Sequence, residues 1–353
     1  MREKEIIILR LMRIKGIAFG LLVVAPFFVF AQNPSLDELE LQLEQKTAAY
    51  EARIERIRQS EAARKPAIVI TRVQATQGEY LRRAISPNFE VTAPTYEIAE
   101  KVCLRAEEEW AKSGFPNLYM PCKIRVKVGQ IGAGGATTFS FGGGQVFGFD
   151  MTVQGSLEKI LKSVIPHEVR HMITACHKRR PVARWLDEGI AGLCEEDSER
   201  NRQMLFAKEI AGTNQFIPLR ELLSAMDYPK DMQKTLSLYA AGTALSDFLV
   251  TRAAAASGQQ WTLEESWQWM MDFEEAATKK GWDATLYDLS KQKNKPLGGI
   301  TNSSELSNEF TKWLKGGKAQ IYAFREAPDA TEQNVILPVK YFNDGVNRVV
   351  PAN

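Results

Sequence analysis

"SVIPHEVRHMITACHKRRPVARWLDEGIAGL", residues 163–193, decides how this chain is read. On a helix of about 100° per residue, His167 and His171 fall about 40° apart, so both imidazoles can reach one ion. Glu168 projects beside them, where its carboxylate can take a proton from a water on that ion. All three histidines of the chain lie within residues 167–177, so the two motif positions draw on a very small pool. Pro166 stands immediately before His167 and predicts a helix start or kink there. Seventeen positions after His171, Glu188 adds an oxygen ligand to the two nitrogens and leaves a fourth position open for water.

The neighbours of these residues carry readings of their own. Glu195 lies seven residues beyond Glu188, two turns on and nearly on the same face. It is either a carboxylate that holds the far nitrogen of a ligand histidine or part of the solvated cluster "EEDSE". Asp187 points about 100° away from Glu188 and receives no ligand role. His177 falls about 240° around from His171, off the metal face, and reads as a surface or outer histidine. Cys103, Cys122, Cys176 and Cys194 show no CxxC spacing, which leaves them structural, as buried thiols or as bridges.

Outward from this segment the chain divides into four stretches. Residues 1–31 carry a basic leader, an apolar run from Gly16 to Phe30 and a cleavage-like Ala31, the pattern of a secretory signal peptide. That run, broken by Pro26, is too short for a stable membrane span. Residues 32–85 hold an amphipathic helix over Leu36–Arg58 and a connector with a strand in "KPAIVITRV". Residues 86–317 form the main domain, and 318–353 a tail. The domain opens with strand, helix over Thr95–Ser113, and strand from Lys123. "GQIGAGGATTFSFGGGQVFGFDMTVQG" (129–155) then reads as a hairpin or extended edge segment, and from Ser156 the pattern is helical. No GxxxxGK[ST] or helix-opening GxGxxG makes it a phosphate loop. Without residues 1–31 the chain has 40 basic against 41 acidic side chains, which gives no reason to invoke nucleic acid or an anionic membrane.

"HEVRH" followed by "WLDEGIAGLCEE" resembles the gluzincin metallopeptidases, in the branch whose third ligand lies in a W-L-x-E-G-x-A motif. The resemblance implies zinc on His167, His171 and Glu188, one ion per chain, with Glu168 as general base. It implies an α+β, zincin-like two-lobed domain, a mixed-sheet lobe followed by a helical lobe, preceded here by the N-terminal helix. In that branch a Y-x-x-G tyrosine hydrogen-bonds the oxyanion, and Tyr239 and Gly242 of "LYAAG" match the pattern. A tyrosine simply packed on its helix with Leu238, Leu245 and Phe248 is the other reading. The likeness also suggests an edge strand before the active-site helix that pairs with extended substrate, for which "GGGQVFGFDMTV" has the composition. A buried hairpin is the alternative.

This chain departs from the branch in two places. The gap between His171 and Glu188 is shorter, at sixteen residues, and the G-x-M-E-N type motif that recognises a free amine is absent. The expectation is an exported zinc peptidase, periplasmic or extracellular, acting on peptide or protein substrates, as an endopeptidase rather than an aminopeptidase. The rival is a catalytically silent gluzincin-like domain serving as an envelope binding or scaffold module. Retention of Glu168 speaks against that rival, because a structural metal site needs no general base.

Overall fold

The computed structural model describes residues 68–73, 81–317 and 319–326 and the backbone of 341–342. The expected signal peptide, the helix over 36–58 and most of the tail lie outside the described residues. Among the described residues no helix is long and apolar enough to cross a membrane.

The chain mixes helix and sheet. Strands β1 (Thr71–Val73), β2 (Arg82–Ile85), β3 (Phe89–Ala93), β4 (Cys122–Val128), β5 (Gly134–Gly142), β6 (Gln145–Gly155) and β7 (Tyr341–Phe342) form one sheet in the order β5-β6-β4-β3-β2-β1-β7. Helix α1 (Tyr96–Lys112) crosses over between β3 and β4, which run parallel, with Phe89 opposite Cys122. β6 continues the parallel set beside β4, and β5 returns antiparallel along the outer side of β6.

One face of this sheet is the core. In β4, Cys122, Ile124 and Val126 are buried and the alternating Lys123, Arg125 and Lys127 are exposed, the period-two pattern of a half-covered sheet. Phe89 and Val91 of β3 and Met151 and Val153 of β6 continue the buried face. Helix α1 meets it with Ala99, Val102, Cys103 and Ala106, residues spaced for one helical stripe. Its first turn is capped by Thr95, whose hydroxyl accepts from the Ile98 N–H at 3.2 Å.

After β6 the chain stays helical from Leu157, passes through a π-turn at Ile160–Val164 and continues as α2 (Ile165–Lys178). Pro166 therefore stands in the first turn of α2, where the α-helix resumes after the π-turn. The wide π-turn before it accommodates the missing N–H and the ring inside a continuous helical path. Val169, Met172 and Ile173 anchor α2 in the core, each contributing roughly 1.5–3 kcal/mol by burial. α2 ends at Arg179, which takes a left-handed conformation (φ 53°), and residues 179–183 lead into α3 (Arg184–Leu193). That brief connection is how the short gap between His171 and Glu188 is spanned.

Further helices follow: α4 (Asp197–Ile210), α5 (Leu219–Ser224), α6 (Met232–Ser257), α7 (Leu263–Lys280), α8 (Trp282–Lys291) and α9 (Ser303–Lys315). α6 is buried on almost every side through its middle, from Ser237 to Val250, and lies directly on α3.

Three sequence readings are corrected. The sheet begins before residue 86, because β1 and β2 pair with each other and with β3. Residues assigned to the tail are partly integrated: the Tyr322 N–H donates to Asp247 Oδ1 at 2.9 Å, and β7 pairs with β1. The hairpin exists, but "QVFGFDMTV" is β6, an interior strand; the edge strand is β5, "GGATTFSFG". All four cysteines are free thiols, so no bridge forms between them.

Candidate metal centre

α2 presents His167 and His171 from successive turns, with ring centroids 4.8 Å apart. α3 brings Glu188 up from below, and the ligand atoms of the three residues lie within 4.8 Å of one another. Glu188 Oε2 is 3.3 Å from His167 Nε2 and 3.6 Å from His171 Nε2. It has no hydrogen-bond partner, although the residue is only 2% exposed. An ionised oxygen buried without a donor is costly unless a cation meets it, and both facing nitrogens belong to imidazoles.

Each histidine is oriented from behind. His167 Nδ1 lies 2.6 Å from Glu195 Oε1, and His171 Nδ1 lies 2.9 Å from Asp187 Oδ1. A carboxylate on Nδ1 turns Nε2 toward the centre and raises its basicity. The structure thus places Glu195 behind His167 rather than in a solvated cluster. Asp187 takes the same role for His171, which the sequence reading missed. Its 100° displacement from Glu188 points it away from the ion position and toward the opposite edge of the His171 ring.

Electrostatics reinforce the fit. Burial alone would depress both histidines, but the Glu188 and Glu195 carboxylates hold His167 well above its ordinary pKa. Asp187 and Glu188 likewise outweigh burial and raise His171 to about 9. Glu188 is drawn down to about 2, since His171 and His167 overcome its own burial. This excess of negative charge calls for positive charge at the Nε2 atoms, which a divalent cation supplies as well as protons do. Two imidazoles and a carboxylate oxygen suit zinc.

Glu168, 4% exposed, projects from α2 beside the two histidines, into the same cavity, and meets the edge strand. The Thr137 hydroxyl of β5 donates to Glu168 Oε2 at 2.6 Å. Gly135, two residues earlier on the same strand, passes so close that a Cβ there would lie 2.7 Å from Glu168 Cγ and 2.8 Å from Cδ. Neither residue is marked in the sequence beyond standing in a glycine-rich strand. Their partner is 31 positions away for Thr137, so only the hairpin register reveals them.

A cavity of about 480 Å³ opens over these groups, between the β5 edge and α6. Tyr239, half-buried, lines it together with Glu168, Glu188, Tyr228 and Leu236. Burial and the Glu188 and Glu168 carboxylates push the Tyr239 hydroxyl up to about 12, so it stays a proton donor at neutral pH. Gly242 of the same motif does not face the cavity. A Cβ there would lie 2.7 Å from the Trp185 carbonyl oxygen, so glycine lets α6 approach α3 and carries Tyr239, one turn earlier, to the cleft.

Tyr228, on the loop between α5 and α6, hydrogen-bonds Glu188 Oε1, and its ring lies 6.1 Å from that of Tyr239. Burial, then the Glu188 charge, raises its pKa. No pattern in "MDYPKD" announces it. His177 stands apart from the centre, edge-on to Trp267 at 4.9 Å. Comparison of the chain with family models, with curated proteins and with solved structures finds no match.

Proposed function

We propose that this chain is an exported zinc-dependent peptidase of gluzincin type, with a zincin-like arrangement of a mixed-sheet lobe before the active-site helix and a helical lobe after it. The observation that carries the reading is the pairing of a two-histidine, one-carboxylate cluster with a separately held Glu168 that belongs to no ion pair of the cluster. His167, His171 and Glu188 would hold the ion. Zinc, when bound, supplies Lewis acidity toward a carbonyl oxygen and lowers the pKa of a water.

The remaining steps fall to the chain's own groups. Glu168 accepts the proton of the attacking water and passes it to the leaving amine. Thr137 keeps the Glu168 carboxylate turned to the cleft. The Tyr239 hydroxyl donates to the oxyanion, an interaction made only as charge develops. The outer edge of β5, running over Glu168, offers backbone groups to an extended peptide. The absence of the free-amine motif favours internal peptide bonds. Export rests on residues 1–31.

The test is metal analysis and a peptide-library digest of residues 32–353, beside Glu168→Gln and Glu188→Ala. The reading expects one zinc per chain, kept in Glu168→Gln with cleavage reduced by about 100-fold or more, and lost or weakened in Glu188→Ala. Zinc held by a wild-type chain that cleaves nothing would point instead to the silent scaffold. Absence of stoichiometric zinc would overturn both.

A further inference from the structure

Glu188 offers two oxygens, and the fold treats them differently. Oε2 faces the two Nε2 atoms and has no hydrogen-bond partner. Oε1 is engaged by the Tyr228 hydroxyl. A phenol beside an ionised carboxylate can only donate, so this contact occupies Oε1 with a proton-bearing partner. Tyr228 is itself held in place. The Arg184 guanidinium lies 4.6 Å over its ring, and Arg184 Nη1 donates to Asp187 Oδ2 at 3.1 Å. Asp187 Oδ1 is the oxygen behind His171. One arginine at the start of α3 therefore braces the partners of two of the three cluster residues.

A carboxylate that binds through one oxygen leaves a three-ligand site with an open position, and one that binds through both crowds it. Glu188 is free to swing both oxygens toward an ion unless something restrains Oε1. The restraint comes from a loop residue that is 42% exposed, not from the buried helical framework, so it can be removed without disturbing the core.

We propose that Tyr228 is a positioning residue that makes Glu188 a one-oxygen ligand, with Arg184 holding Tyr228 against it, so that the remaining coordination position stays available to water or substrate. The proposal rests on reading His167, His171 and Glu188 as a metal site. It does not depend on peptidase activity.

The experiment compares wild type, Tyr228→Phe and Leu236→Ala. Leu236 lines the same cavity without a polar group to offer. Zinc dissociation constants are measured by competition with a chromogenic chelator, and visible spectra are recorded on the Co2+-loaded proteins. Tyr228→Phe should weaken zinc about tenfold or more, the scale of losing a partner behind a ligand. Its Co2+ bands should lose intensity, as a fifth ligand atom makes the site less tetrahedral. Thermal unfolding of the metal-free variant should match wild type, and Leu236→Ala should bind zinc as wild type does.

A Tyr228→Phe protein that binds zinc within about twofold of wild type, with a superimposable Co2+ spectrum, overturns the proposal. Equal weakening in Leu236→Ala also overturns it, because the effect would then belong to the cavity and not to the hydroxyl. The two readings fail separately. A wild type that binds no zinc removes the metal site itself, whereas tight wild-type binding with an unaffected Tyr228→Phe removes only the role of Tyr228.

Discussion

The Thr137 hydroxyl, on the edge strand of the sheet, donates a 2.6 Å hydrogen bond to the Glu168 carboxylate on the cluster helix. This single contact ties the strand that borders the cleft to the group proposed to move the proton. A hydrogen bond to a charged acceptor contributes about 1.5–3 kcal/mol, so its loss should cost turnover roughly tenfold to 100-fold. Thr137→Val removes the hydroxyl at nearly constant shape and should lower kcat with KM and zinc affinity unchanged; Thr137→Ser should restore most of it. Steady-state kinetics on any peptide found to be cleaved decide the matter. Equal kcat in the valine and serine variants would leave Thr137 as a packing residue.

Asp187→Ala should act on the metal and not on the proton. With Asp187 gone, His171 loses the acceptor at 2.9 Å that fixes its ring, and Arg184 loses the carboxylate it binds at 3.1 Å. Zinc affinity is expected to fall by about 10–100-fold, measured by chelator competition, with a smaller loss in Asp187→Asn, whose side-chain oxygen can still accept from His171 Nδ1. Unchanged affinity in both variants would mean that the carboxylate does not orient the ring.

How far the sequence reaches can be judged from these residues. His167, Glu168 and His171 are legible because helical periodicity alone puts them on neighbouring faces. Glu188 is legible through the W-L-x-E-G-x-A pattern around it, which the resemblance supplies and periodicity does not. Asp187 receives no ligand role from its projection angle and stands outside the cluster, but that angle says nothing of its contact with the far edge of the His171 imidazole. Thr137, Gly135 and Tyr228 were not legible at all. Their partners lie across a hairpin or a loop, where the geometry depends on register and chain path, not on a local period. The hairpin was expected, but which of its strands is the edge follows from β6 pairing with β4, a long-range choice that composition does not encode.

Gly242 lies against the Trp185 carbonyl oxygen where α6 packs on α3, with a methyl group excluded at 2.7 Å. Gly242→Ala should force the two helices apart. Inserting a methyl group into a packed contact costs about 1–3 kcal/mol, and displacement of α6 carries Tyr239 away from the cleft. The expected result is a lower thermal midpoint together with reduced kcat, while Ala240→Gly, one face round on the same helix, should lower stability without a matching loss of turnover. Thermal denaturation and kinetics on the two variants separate close approach from general helix weakening.

Acid should loosen the far end of the cluster helix first. Lys178, 4% exposed at its side chain, pairs with Glu274 Oε2 at 2.6 Å, and Arg180 makes two 2.9 Å bonds to the same carboxylate. Burial works against ionisation of Glu274, but the bonds from Arg180, Lys178 and Thr278 outweigh it and lower its pKa. Bonds from Lys178, Lys279 and Arg180 draw the neighbouring Glu275 to about 2. Because these folded values lie below the ordinary 4.5, the carboxylates bind protons more weakly in the folded state than in the unfolded one. Their stabilisation is therefore complete above about pH 5 and is lost as pH falls from there toward about 2. Glu275 is well exposed and contributes only a fraction of about 1 kcal/mol, so the buried Glu274 should dominate. Glu274→Gln should lower the thermal midpoint at pH 7 but leave the midpoint at pH 3 closer to wild type, narrowing the drop between the two. A variant whose midpoint falls in parallel with wild type over that range would show that the Glu274 charge does not hold α2 to α7.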